Sequence, residues 1–130
     1  MATIQEIQVH IEELKRLVPG MPSLALSEPW FIPGSWAEHE YPNSSLPGVY
    51  IFADVTANII YVGKASTGLG YRIGNEYVGR DGVLKGNKVV GAAALYTIPL
   101  PKQLFFLSPA VEEFLISRLQ PERNSVGKIA

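Results

Sequence analysis

Two short apolar runs joined by a polar connector constrain this chain most. Around Gly48-Val49-Tyr50 and again around Tyr61-Val62-Gly63 the sequence is rich in Val, Ile, Tyr and Phe, residue types that fill pleated, half-buried strands. The connection over 54–58 opens with Asp54 and closes with Asn58. This pattern predicts an antiparallel hairpin with Tyr50 and Tyr61 on neighbouring strands and Lys64 at the rim. A third strand is expected over 91–98. The chain therefore reads as an α+β domain with a small three-stranded antiparallel sheet, near 48–54, 58–63 and 91–98, flanked by helices. Two phenols and an ammonium at one place form a proton-handling set, although tyrosine also suits strands for packing alone.

The segments outside the hairpin carry helix signals. Residues 3–17 predict an added N-terminal helix: Thr3 and Glu6 make a capping box, and Ile4, Ile7, Ile11 and Leu14 recur at helical spacing before Pro19-Gly20. A stripe this narrow packs either on the domain or on a second copy, so a homodimer through this helix stays open. Residues 20–47 hold five prolines interleaved with Trp30, Phe31, Trp36 and Tyr41. We expect this stretch to clamp across the core, with stacking on unpaired bases as the alternative. Residues 1–47 thus form an extension packed on a domain of residues 48–130. Ser108 as N-cap and Pro109 in the first turn predict the final helix, which Pro121 stops.

Composition removes several function classes. The 130 residues contain no cysteine, which excludes disulfides and thiolate metal sites, and His10 and His39 are too few for a histidine-built centre. No apolar run reaches the roughly 18 residues of a membrane span, and charge comes too early for a signal peptide. The expectation is a soluble, cytoplasmic protein without a membrane partner. Charge is divided along the chain. Residues 1–47 hold two Lys/Arg and six Asp/Glu, and residues 48–130 hold nine Lys/Arg and six Asp/Glu. Lys64, Arg72, Arg80, Lys85 and Lys88 follow one another before the third strand, where phosphate contacts are expected. Arg80, Lys85 and Lys88 are the candidate nucleic-acid contacts.

The run Pro47-Gly48-Val49-Tyr50, then Ile60-Tyr61-Val62-Gly63-Lys64-Ala65, then Leu69 and Arg72, resembles the GIY-YIG nuclease superfamily. Near the C-terminus Glu112, Ile116, Pro121 and Asn124 are similar to that family's helix with its metal-binding glutamate and closing asparagine. The resemblance spans residues 48–124 and is nearest to the N-terminal incision domain of the bacterial excision-repair nuclease. It implies a divalent-metal-dependent endonuclease that hydrolyses phosphodiester bonds, with DNA ahead of RNA as substrate. The alternative is a GIY-YIG-fold binding or interaction module of weak or no activity, or one that a partner targets. The resemblance implies Tyr50, Tyr61, Lys64, Arg72 and Glu112 as the catalytic set, with Gly48, Gly63, Tyr77 and Asn124 in support.

Hydrolysing a phosphodiester requires an aimed water, a proton acceptor, and positive charge on the developing oxyanion. Glu112 would hold Mg²⁺ or Mn²⁺, a hard cation content with few protein ligands. Arg72 would brace the non-bridging oxygens through its fork of donors. Lys64, Arg72 and the metal would each favour a phenolate, so either Tyr50 or Tyr61 is a candidate base. Many family members carry a tyrosine or histidine four residues after the arginine. Here that position is Glu76, with Tyr77 one later, so either Tyr77 substitutes through an altered turn or that role is missing, and Glu76 is a candidate second metal ligand. Asn124 would tie the last helix to the hairpin. On the helical wheel Glu112 shares its face with Leu115, Ile116 and Leu119, whereas Glu113 shares its face with Ser117 and Gln120. Glu112 therefore turns inward, to a metal or to an ion pair with Arg72.

Overall fold

The polar connector closes the hairpin through Asp54. Its carboxylate accepts from the Thr56 and Asn58 N–H groups, at 2.9 Å each, and from the Thr56 hydroxyl, also at 2.9 Å. That local network turns the chain within five residues, so the apolar runs on either side meet antiparallel. A computed structural model describes residues 1–32, 42–77 and 84–124. Its strands are β1 (Trp30–Phe31), β2 (Gly48–Ala53), β3 (Ile59–Ala65) and β4 (Ala94–Pro99), in the order β1-β4-β2-β3 with every pairing antiparallel. The fold is α+β as expected, with one strand more than the three predicted. Trp30-Phe31 lies between prolines at 29 and 33, which leaves only a two-residue edge strand against Leu95 and Ala94. The strand expected from residue 91 begins at Ala94, because a 3-10 turn spans Asn87–Val89 and Gly91 takes φ +89°.

Alternation along the strands builds two cores. Val49, Ile51, Val62 and Ile98 face α1 (Ile7–Leu17) and α3 (Ser108–Leu119). Tyr50, Phe52, Tyr61 and Leu95 face α2 (Leu69–Glu76) and Tyr77. The capping box at Thr3 and Glu6 forms as predicted, on a 3-10 turn over Ile4–Glu6 that leads into α1. Ile7, Ile11 and Leu14 are buried in the same core as α3, and Glu13 pairs with Arg118 of α3 at 3.0 Å. The apolar stripe left open as a homodimer seam is thus covered by the chain's own body.

Part of the stretch 20–47 does clamp the sheet. The Ser27 N–H donates to the Thr97 carbonyl and the Ser27 hydroxyl accepts from the Thr97 N–H, while the Thr97 hydroxyl donates to the Pro42 carbonyl. Met21 and Leu24 are buried. Trp36 and Tyr41 lie outside the described residues. Ser108 is not the N-cap of α3 but its first residue, because a 3-10 turn over Lys102–Leu107 runs straight into the helix and the Ser108 hydroxyl donates back to the Phe105 carbonyl. Among the described residues no helix is long and apolar enough to cross a membrane.

Candidate active site

Cross-strand register places the first two phenols. Tyr50 of β2 stands opposite Gly63, and Phe52 stands opposite Tyr61, so Tyr50 and Tyr61 are diagonal neighbours on one face with ring centroids 6.4 Å apart. The absence of a side chain at Gly63 allows this. A Cβ there would overlap the Tyr50 ring and hydroxyl, so the Tyr50 phenol lies directly across the Gly63 backbone. Gly48 has a packing reason of its own, since a Cβ on it would overlap the Ile98 carbonyl oxygen of β4.

Tyr77 completes the cluster. α2 ends at Glu76, and Tyr77 leaves the helical path at φ −127° and ψ −33°. That departure brings its ring to 5.4 Å from Tyr50 and 5.7 Å from Tyr61, centroid to centroid. The Tyr50 hydroxyl donates to Tyr77 at 3.1 Å, and the Tyr77 hydroxyl donates to Tyr61 at 3.4 Å. Glu76, four residues after Arg72 on the exposed face of α2, instead pairs with the arginine at 3.2 Å. Tyr77 therefore reaches the phenols, whereas Glu76 goes to Arg72.

The electrostatics separate these groups. Burial pushes the Tyr50 phenol up to about 12, against the opposing pull of its hydrogen bond with Tyr77 and of the neighbouring Arg72. Burial, then the hydrogen bonds to Tyr50 and Tyr61, push the Tyr77 phenol up as well. Burial thus holds the Tyr50 phenol in its neutral form. Lys88, on the turn before β4, places its ammonium 5.5 Å from the Tyr61 ring centroid. Lys88 also lines a cleft of about 450 Å³ with Glu76, Tyr77, Gly86 and Asn87. Lys85 is exposed, and Arg80 lies outside the described residues.

The remaining groups approach from the other side of β3. Lys64 pairs with Val49 and so belongs to the α3 face, where it feels the carboxylate of Glu112. Lys64 and Arg72 line a second cleft, about 210 Å³, with Ala65, Ser66, Thr67 and Tyr71. Glu112 is half-buried and Glu113 is exposed, as the wheel predicted. Burial raises the Glu112 carboxyl above its ordinary value, with Lys64 and Arg72 pulling it back. Arg72 pairs with Glu76 and hydrogen-bonds to Tyr50, and no ion pair joins it to Glu112 among the described residues.

Among the described residues no three His, Cys, Asp or Glu side chains gather. A cation here would take Glu112 as its carboxylate and water for much of its shell, as Mg²⁺ accepts. Glu112 fits such an ion: it is a desolvated carboxylate in a field of positive charge, with no hydrogen bond or ion pair of its own among the described residues.

Asn124 locks this arrangement. Its side-chain carbonyl accepts from the Val62 N–H and its amide donates to the Val62 carbonyl, each at 2.9 Å. No family model, curated protein or solved structure matches this chain. Sequence reasoning missed Arg123, whose guanidinium donates to the Asn87 carbonyl at 2.8 Å and whose N–H donates to the Ile60 carbonyl at 2.8 Å. It joins the turn that carries Lys88 to the strand that carries Tyr61. Only its place beside Asn124 could have drawn notice. Ser66 and Ser108 likewise share a hydrogen bond at 3.1 Å that ties the end of β3 to the start of α3.

Proposed function

We propose that the chain is a divalent-metal-dependent endonuclease of the GIY-YIG type, hydrolysing phosphodiester bonds in nucleic acid, DNA ahead of RNA. One observation carries the reading: three hydrogen-bonded phenols lie beside Arg72 on one face of β3, and the unpaired carboxylate of Glu112 lies in the field of Lys64 and Arg72 on the other.

In this reading Arg72 and Lys64 grip the phosphate from their shared cleft. The exposed Arg72–Glu76 pair is weak, so a phosphate oxygen displaces Glu76 readily. Tyr50 stays protonated and fixes Tyr77, which in turn donates to Tyr61. Tyr61 is then the proton acceptor, because its oxygen ends the string and Lys88 stands over its ring. Mg²⁺ or Mn²⁺ at Glu112 would supply positive charge for the phosphate and the leaving oxygen.

The test incubates the purified protein with single-stranded, duplex and branched DNA, in Mg²⁺ or in EDTA, beside Glu112→Gln and Glu113→Gln. Cleavage is expected in Mg²⁺ only, abolished by Glu112→Gln and nearly untouched by Glu113→Gln. Cleavage that survives EDTA, or its absence on every substrate, rejects the proposal. Loss on Glu113→Gln instead would place the metal on the wrong carboxylate.

A further inference from the structure

The mechanism leaves one aromatic residue of the Lys64–Arg72 cleft unused. Tyr71 lines that cleft, yet it is 75 % exposed and makes no ring contact among the described residues. It also precedes Arg72 directly, and both residues line that cleft. Two more exposed rings flank the same end of the sheet. Phe105 and Phe106 pack edge to face at 5.8 Å and are 49 % and 59 % exposed. The Phe105 carbonyl accepts from Ser108, and Ser108 bonds to Ser66 in the wall of the cleft. Lys102 opens that aromatic segment and is exposed.

We infer that Tyr71, with Phe105 and Phe106 beyond it, is a stacking platform for unpaired bases next to the gripped phosphate, so that the site takes single-stranded or locally opened nucleic acid. This deepens the nuclease reading and rests on it for the use of Arg72 and Lys64. The physical reason is access. In a duplex each base face is covered by its neighbours, and an exposed ring gains nothing from it. In a single strand the faces are free, and each stacked base contributes strongly without any sequence requirement. Cations beside the rings hold the backbone while the rings hold the bases. A purely duplex-directed site would gain from more Lys and Arg here, not from three bare aromatic rings.

The test is fluorescence anisotropy in EDTA, with a labelled 15-nucleotide oligothymidine and a labelled 15-base-pair duplex. The parent is expected to hold the single strand more tightly than the duplex. Tyr71→Ala should weaken the single strand about tenfold, Tyr71→Phe should stay within about twofold of the parent because the ring is kept, and Phe105→Ala with Phe106→Ala should weaken it as well. All three rings are exposed, so these substitutions leave the buried core untouched. Duplex held as tightly as the single strand overturns the inference, and so does a Tyr71→Ala protein that binds like the parent, the result expected if these rings serve a protein partner. A chain that binds the single strand through Tyr71 but never cleaves sustains this inference and fails the nuclease reading. A chain that cleaves while ignoring Tyr71 does the reverse.

Discussion

Replacing Asn124 by alanine tests whether the C-terminal segment holds the hairpin. β3 is an edge strand, and on its outer side Val62 bonds to the Asn124 side chain through both its N–H and its carbonyl. Alanine removes both partners. A buried backbone group left unpaired costs about 1–3 kcal/mol, and two are orphaned here. Water reaches an edge strand more easily than a central one, which sets the expectation at the low end, about 2–3 kcal/mol in all. For a chain of this size that is roughly 6–15 °C in Tm. Urea unfolding followed by circular dichroism measures it. Asn124→Asp is the sharper variant. At neutral pH its carboxylate can accept from the Val62 N–H but faces the Val62 carbonyl with a second acceptor, so it should be as unstable as the alanine variant. Below about pH 4 the protonated carboxyl can donate, and the variant should gain on the alanine form. Val62 lies between Tyr61 and Gly63, so cleavage should fall with the unlocking. An Asn124→Ala protein within about 0.5 kcal/mol of the parent would show that the two hydrogen bonds do not hold the strand.

Three further outcomes are expected. Arg72→Ala should slow cleavage by about 100-fold, the scale of one lost transition-state donor, and a variant as fast as the parent in a gel-based assay places the phosphate contact elsewhere. Gly63→Ala should destabilise the fold by about 1–3 kcal/mol and displace the Tyr50 ring, while an unchanged Tm would mean that the ring moves aside freely. Stability should decline as pH rises from about 10 to 12: the Tyr50 phenol is held up to about 12 in the fold but ionises near 10 when unfolded, so the unfolded chain releases its proton first and the contribution is lost through that window. Tyr50→Phe should flatten the decline in urea melts at these pH values, and an unaltered slope would count against the buried phenol.

The hairpin, the N-terminal helix and the inward turn of Glu112 were legible in the sequence because each is a local or periodic property. Asp54 and Asn58 turn the chain with their own side chains, Ile7, Ile11 and Leu14 repeat with the helix, and Glu112 shares a wheel face with Leu115 and Ile116. The fourth strand was not legible, since Trp30-Phe31 is too short to carry a period and becomes a strand only when β4 offers it an edge. The choice between Glu76 and Tyr77 also lay beyond the sequence. It depends on where α2 ends, and that end is fixed by packing beneath the sheet. The glycine at 63 shows the division most clearly. Its place beside Tyr61 is written in the chain, but the need for it comes from Tyr50, thirteen residues earlier, whose ring crosses the bare backbone only once β2 and β3 are in register. Local sequence determines which segments form and which way they face; the pairing of distant segments decides which side chains share a hydrogen bond, because Tyr50, Tyr61 and Tyr77 meet only once β2, β3 and the end of α2 pack together.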